Sequence, residues 1–229
     1  MGKLLKSIFA MIGLFGLFGL FAAAAAQAPV AVVEDVKGKV AGVEFMDYVA
    51  PGRVIKLGPK DALVLSYMKS CWRETITGGT VTVGQEQSAV SQGKVERFKV
   101  ACDSTRMQLS AREATQSAAT VFRSLRRDQP PPRGALLTLY GQSPVVEVND
   151  SRGRLVIERI DESGERVEIA VDGAALVRGK FFDLAKTGIA LKPGASYAVT
   201  LGALKAEFTI AWDAQPGSTP VVGRLLRFE

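Results

Sequence analysis

Between residues 30 and 100 every apolar stretch is short, and glycine or proline interrupts nearly all of them. A helix needs a stripe recurring every three to four residues over several turns, and no such stripe is present here. What remains is strand. Val36-Lys37-Gly38-Lys39-Val40 reads as a strand with a tight bend, and Arg53-Val54-Ile55-Lys56-Leu57-Gly58 as another ending at glycine. Residues 63–67 and 95–100 add two more. Thr75-Ile76-Thr77 and Thr80-Val81-Thr82-Val83 flank Gly78-Gly79. Two glycines supply the positive φ of a primed turn and β-branched neighbours favour a pleated surface, so the pattern predicts a hairpin there. The first half is expected to be a β domain over residues 29–109.

The compartment follows from the start of the chain. Lys3 and Lys6 precede an unbroken apolar run over residues 8–21, and five alanines follow at 22–26. This is the form of an export signal over residues 1–28. A cut after Ala26 is preferred over one after Ala28, because Pro29 would make the latter bond a tertiary amide. The alternative is an uncleaved inner-membrane anchor, since residues 8–26 approach the roughly 20 that span a bilayer. The expected location is therefore periplasmic or secreted, with no stable membrane span once the signal is removed. In an oxidising compartment the two cysteines, Cys71 and Cys102, are expected to form one disulfide. Closing a loop of that length stabilises a domain by roughly 3 to 4 kcal/mol in the chain-entropy description. The C-x-x-C spacing of redox pairs is absent.

The chain changes character at Ser110. Ser110-Ala111-Arg112-Glu113 has the form of a capping box, and Ala111, Ala114, Ala118, Val121, Phe122 and Leu125 follow at helical spacing. A helix over residues 111–127 is predicted, stopped by Pro130-Pro131-Pro132 in a stiff connector, so that residues 110–134 link two domains. Beyond it β alternation returns. Leu155, Ile157 and Arg159 alternate with Val156, Glu158 and Ile160, and Asp161-Glu162-Ser163-Gly164 turns the chain into a strand over 166–171. Further strands are expected at 135–140, 145–148, 196–201, 206–212 and 221–228, about seven across residues 135–229, which suggests a β-sandwich.

Two resemblances accompany this reading. Val33-Glu34-Asp35-Val36-Lys37-Gly38-Lys39-Val40, then Val49-Ala50-Pro51-Gly52-Arg53-Val54-Ile55-Lys56-Leu57-Gly58, then Ile76-Thr77-Gly78-Gly79-Thr80-Val81-Thr82-Val83 resemble the FecR-type periplasmic domain, a β domain of bacterial envelope proteins. The segment 67–74 departs from its usual plain strand and Asp-Gly turn. The whole chain looks most like stand-alone, secreted FecR-like proteins of Gram-negative bacteria. Leu191-Lys192-Pro193-Gly194-Ala195-Ser196-Tyr197 resembles the corresponding turn of fibronectin type III modules. That resemblance implies an immunoglobulin-like sandwich in which Tyr197 is structural, its phenol bonded to nearby backbone.

Composition closes several routes to chemistry. Histidine is absent, removing the commonest general base and metal ligand together. Neither a phosphate loop, a dinucleotide fingerprint nor a nucleophile elbow is present. No catalytic residue, metal or cofactor is therefore assigned. Carboxylates are the one remaining route to an enzyme: Glu34, Asp35, Asp61 and Glu74 could form a glycan-cleaving pair, although each sits beside a glycine turn or a basic neighbour, where a solvated acid is expected. The net charge of +6 is local: residues 27–134 carry a net +5 and residues 135–229 a net −1. Export and the lack of a recognition motif argue against nucleic acid. Trp72 and Arg73 are the most plausible partner contacts, an aromatic face beside a guanidinium. In the alternative reading Trp72 packs on the disulfide and Arg73 pairs with Glu74 or another acid. Arg112, Arg123, Arg126 and Arg127 could meet an anionic partner or simply form a solvated helix face. The function expected is that of a non-enzymatic envelope interaction or sensor-scaffold module with a protein or glycan partner. A cell-wall glycan enzyme and a regulator of a membrane-bound signalling partner are the alternatives.

Overall fold

A computed structural model of the chain describes residues 27–107, 136–149, 152–218 and 220–228. The described residues are mainly β, and their helical content is confined to short 3-10 turns. The helix expected over 111–127, its four arginines and the proline connector lie outside the described residues. Among the described residues no helix is long and apolar enough to cross a membrane.

Six strands make the first sheet: β1 (Ala31–Lys37), β2 (Tyr48–Val49), β3 (Val54–Tyr67), β4 (Trp72–Thr82), β5 (Ala89–Ser91) and β6 (Lys94–Lys99). They run in the order β2-β1-β3-β4-β5, all antiparallel, with β6 also on β4. The expected hairpin at Gly78-Gly79 is not formed. Both glycines have positive φ, 64° and 82°, but they sit inside one continuous strand. The two arms of β4 pair with the same neighbour, Arg73–Thr77 with the Ala62–Ser66 part of β3 and Gly79–Thr82 with its Val54–Leu57 part. Opposite the glycines β3 carries an irregularity between Leu57 and Ala62, and β4 bends there, passing from β6 to β5 on its other side. A Cβ on Gly79 would stand 2.4 Å from the Ser91 carbonyl oxygen. The positive-φ residues thus serve a bend with close backbone approach, a use that local sequence cannot tell from a turn.

Eight strands follow: β7 (Leu137–Gly141), β8 (Val145–Glu147), β9 (Gly153–Arg159), β10 (Arg166–Val171), β11 (Phe181–Asp183), β12 (Ser196–Leu201), β13 (Leu204–Gln215) and β14 (Leu225–Arg227). They form a five-stranded sheet, β10-β9-β12-β13-β7, and a three-stranded one, β11-β8-β14. The turn at 161–164 does join β9 to antiparallel β10. The strand expected over 221–228 is shorter, because Val221–Gly223 forms a 3-10 turn before β14 begins.

The three-stranded sheet is buried on both faces. Val146, Phe182 and Leu226 enter a core with the five-stranded sheet, alongside Leu155, Ile157, Tyr197, Phe208 and Ile210. Their chain neighbours Val145, Phe181 and Leu225 turn the other way, into a cluster with Val32, Met46, Met68 and Met107 of the first half. A strand alternates its side chains, so apolar doublets at all three positions mean two apolar surroundings. A further core, including Val33, Leu63, Leu65, Tyr67, Ile76 and Val81, lies on the far side of the first sheet. The two halves therefore share a continuous apolar seam, in which each fully buried Val, Leu or Phe contributes about 1.5 to 3 kcal/mol relative to exposure.

Candidate functional site

Of the residues singled out in the sequence, Cys71, Trp72, Arg73, Glu74 and Cys102 cluster around the start of β4 and its partner β6. Cys71 and Cys102 are bonded, with Cα atoms 5.8 Å apart, tying the β3–β4 turn to the chain just past β6. Cys71 itself has φ of 53° and its carbonyl accepts from Val100 N–H at 2.9 Å. The next residues pair across the strands, Trp72 with Lys99, Arg73 with Phe98 and Glu74 with Arg97. Alternation then sorts them onto two faces. On one, Lys99 Nζ lies 4.4 Å from the centre of the half-buried Trp72 ring, which packs against the core that includes Val33, Leu63 and Ile76. On the other, the Arg73 guanidinium lies 5.4 Å from the ring of Phe98, which is 46% exposed. Among the described residues β6 pairs only with β4, so its other side is an open edge.

Arg73 does more than cover Phe98. Its Nε donates to Glu34 Oε2 at 2.5 Å, while Glu34 Oε1 accepts the backbone N–H groups of Val221 and Val222 from the second half. Glu34 occupies the irregularity between Val33 and Asp35 in the β1–β3 pairing; such an extra residue re-aims a side chain. Glu74, next to Arg73 in sequence, points to the opposite face. There it accepts from Arg97 Nε at 2.6 Å and from Ser88 N–H at 3.1 and 3.2 Å. Ser88 Oγ is 2.8 Å from the buried Tyr67 hydroxyl, whose pKa burial pushes up to about 12.

These two glutamates depart from the solvated acids expected. Both side chains are fully buried and ion-paired, on opposite faces of one sheet. The other two candidate acids are not brought to them as a pair: Asp61 accepts from Gly58 N–H at 2.8 Å inside the β3 irregularity, and Asp35 lies half-buried on β1. Among the described residues no group of His, Cys, Asp or Glu could hold a metal ion.

Several polar residues of the seam escaped the sequence reading. The Tyr48 hydroxyl donates to Glu147 Oε2 at 2.7 Å across the two halves, and its ring meets Phe181 edge-on at 5.8 Å. Burial raises the Glu147 pKa, against the lowering effects of the Tyr48 hydrogen bond and the Arg227 and Lys180 charges. Glu147 Oε1 and Arg227 Nη1, on adjacent strands, are both buried and find no hydrogen-bond partner among the described residues. Arg224 is buried too, held by Asp183 at 2.7 and 3.2 Å and by the carbonyls of Ser143 and Ser218, both at 2.7 Å. Outside the seam Arg178 pairs with Glu44 and, at 3.1 Å, with Asp47. The available signal was a charge inside an apolar run, as in Val145-Val146-Glu147-Val148. Trp212, 85% exposed on β13, was also missed, although it falls at a solvent-facing end of a predicted strand.

The Tyr197 phenol does bond to nearby backbone, accepting from Lys192 N–H at 3.0 Å while donating to Glu165 at 3.0 Å. The arginines at 112, 123, 126 and 127 lie outside the described residues. No family model matches the chain, no curated protein matches it, and no solved structure matches it.

Proposed function

We propose that this protein is a non-enzymatic module of the bacterial cell envelope, exported to the periplasm and binding there a protein or glycan partner. In this reading the first half is a FecR-type domain and the second an immunoglobulin-like sandwich of the fibronectin type III kind. One observation carries the interaction role: the open β6 edge, where Phe98 and the Trp72–Lys99 stack are displayed on strands braced by the Cys71–Cys102 bond. An extended partner segment can add to such an edge through main-chain hydrogen bonds and seat its side chains beside the aromatics. The carboxylates that an enzyme would need have other employment, since the buried Glu34 and Glu74 are ion-paired with Arg73 and Arg97 on opposite faces.

The test uses cells exporting the full chain. Photo-crosslinking from position 98 should yield one discrete adduct that is lost when Trp72→Ala and Lys99→Ala are combined, and the mature mass should correspond to a start at Gln27. A full-length cytosolic product, or adducts unchanged by those substitutions, would refute the proposal.

A further inference from the structure

We infer that the exposed ring of Trp212 is a stacking platform for a pyranose unit of a glycan, a binding site on the second half separate from the β6 edge. The ring is unusual for its setting. Ile210, Ala211 and Ala214 of the same strand are buried in the core, whereas Trp212 leaves 85% of its surface in water. It is nevertheless held. The turn containing Gly194 is fixed to β13 by Gly194 N–H donating to the Ile210 carbonyl and Ile210 N–H to the Ala195 carbonyl, both at 2.9 Å. A Cβ on Gly194 would stand 2.5, 2.5 and 2.6 Å from three carbons of the indole. Three nearly equal distances mean that the six-membered ring lies face-down over the Gly194 backbone, a packing that a Cβ there would displace. With φ of +80°, Gly194 is also in the region that suits glycine best. The six-membered ring thus rests on Gly194 while most of the side chain is presented to solvent.

What fits an open aromatic plane is decided by its rim. A protein partner built around a tryptophan needs a ring of apolar contacts to exclude water. Here the chain neighbours are charged and exposed: Asp213 follows Trp212 in the chain, and Lys192 lies two residues before the supporting glycine. Neither side chain is in an ion pair among the described residues, so an acceptor and a donor on these two segments are left to a ligand. A narrow apolar plane with hydrogen-bonding groups beside it complements a sugar ring, which has an apolar C–H face and a rim of hydroxyls.

The chain has two tryptophans, so the full-length exported Trp72→Phe variant carries a single reporter at the proposed site. Titration with cellohexaose and with chitohexaose should give a saturable change in its emission for at least one of them. In the otherwise unaltered chain, Trp212→Ala should weaken binding of that sugar at least about tenfold by calorimetry, with the thermal melt unchanged. Binding retained in Trp72→Phe also separates this site from the β6 edge, whose proposal stands or falls on its own variants. Absence of a saturable response to either sugar, a response to tetramethylammonium alone, or unchanged affinity in Trp212→Ala would each overturn the inference.

Discussion

Replacing Glu34 by Gln tests whether one buried carboxylate joins the two halves. Its Oε2 takes the Arg73 Nε at 2.5 Å, and its Oε1 takes the N–H groups of Val221 at 2.5 Å and Val222 at 3.4 Å. An amide keeps the shape but has a single acceptor oxygen, so either Arg73 or the two backbone donors lose their partner and face an NH2 group. Breaking one side of a buried ion pair costs about 3 to 5 kcal/mol. Arg73 keeps 20% of its side chain in water, which recovers part of its hydration and puts the expected loss near the bottom of that range, about 3 kcal/mol. For a chain of this size that is a fall in Tm of roughly 6 to 12 °C. Urea melts measure the loss. Hydrogen exchange locates it, because the amides of Val221 and Val222 should lose protection before those of the first sheet. A Glu34→Gln protein within about 1 kcal/mol of the parent, with those two amides still protected, would refute the keystone role.

Three further outcomes are expected. Gly79→Ala should destabilise the chain by more than about 2 kcal/mol, because its Cβ would strike the Ser91 carbonyl; a hairpin turn with an open flank would tolerate it better, so a near-neutral melt counts against the mid-strand bend. Cys71→Ser with Cys102→Ser should cost about 2 to 5 kcal/mol in denaturant titrations, and an unchanged midpoint would show that the bond does not constrain the unfolded chain. Glu147→Gln should be more stable than the parent at neutral pH. The folded-state pKa of Glu147 is raised above its ordinary value of 4.5, so its favourable contribution is complete below that value and lost as pH rises through the raised one. The difference between the two urea midpoints should therefore shrink to nothing below about pH 4.5, and a gap independent of pH would refute this reasoning.

Much of the second half was legible locally. The β9–β10 hairpin declared itself through alternation and an Asp-Glu-Ser-Gly turn, and the Leu-Lys-Pro-Gly turn placed Tyr197 where its phenol reaches the backbone of Lys192. The cysteine pair followed from an even count and the expectation of export. Where local reading failed, the cause was a second use for the same residues. Gly78-Gly79 allows a turn or a bend, and which one forms depends on whether β3 supplies a partner to both arms. Arg73 had acids on offer at Glu74 and elsewhere, and strand alternation sent the nearer one to the wrong face.

By itself the amino-acid sequence determined that the described residues are mainly strand, because propensity, alternation and turn chemistry act within a few residues. It also carried, unread, the doublets Val145-Val146, Phe181-Phe182 and Leu225-Leu226 that require apolar surroundings on both sides of a strand. Tertiary structure alone decided what those surroundings are. Glu34 meets Val221 across 187 residues and Tyr48 meets Glu147 across 99, and which buried charge finds which donor is settled only when whole sheets pack and water is expelled between them.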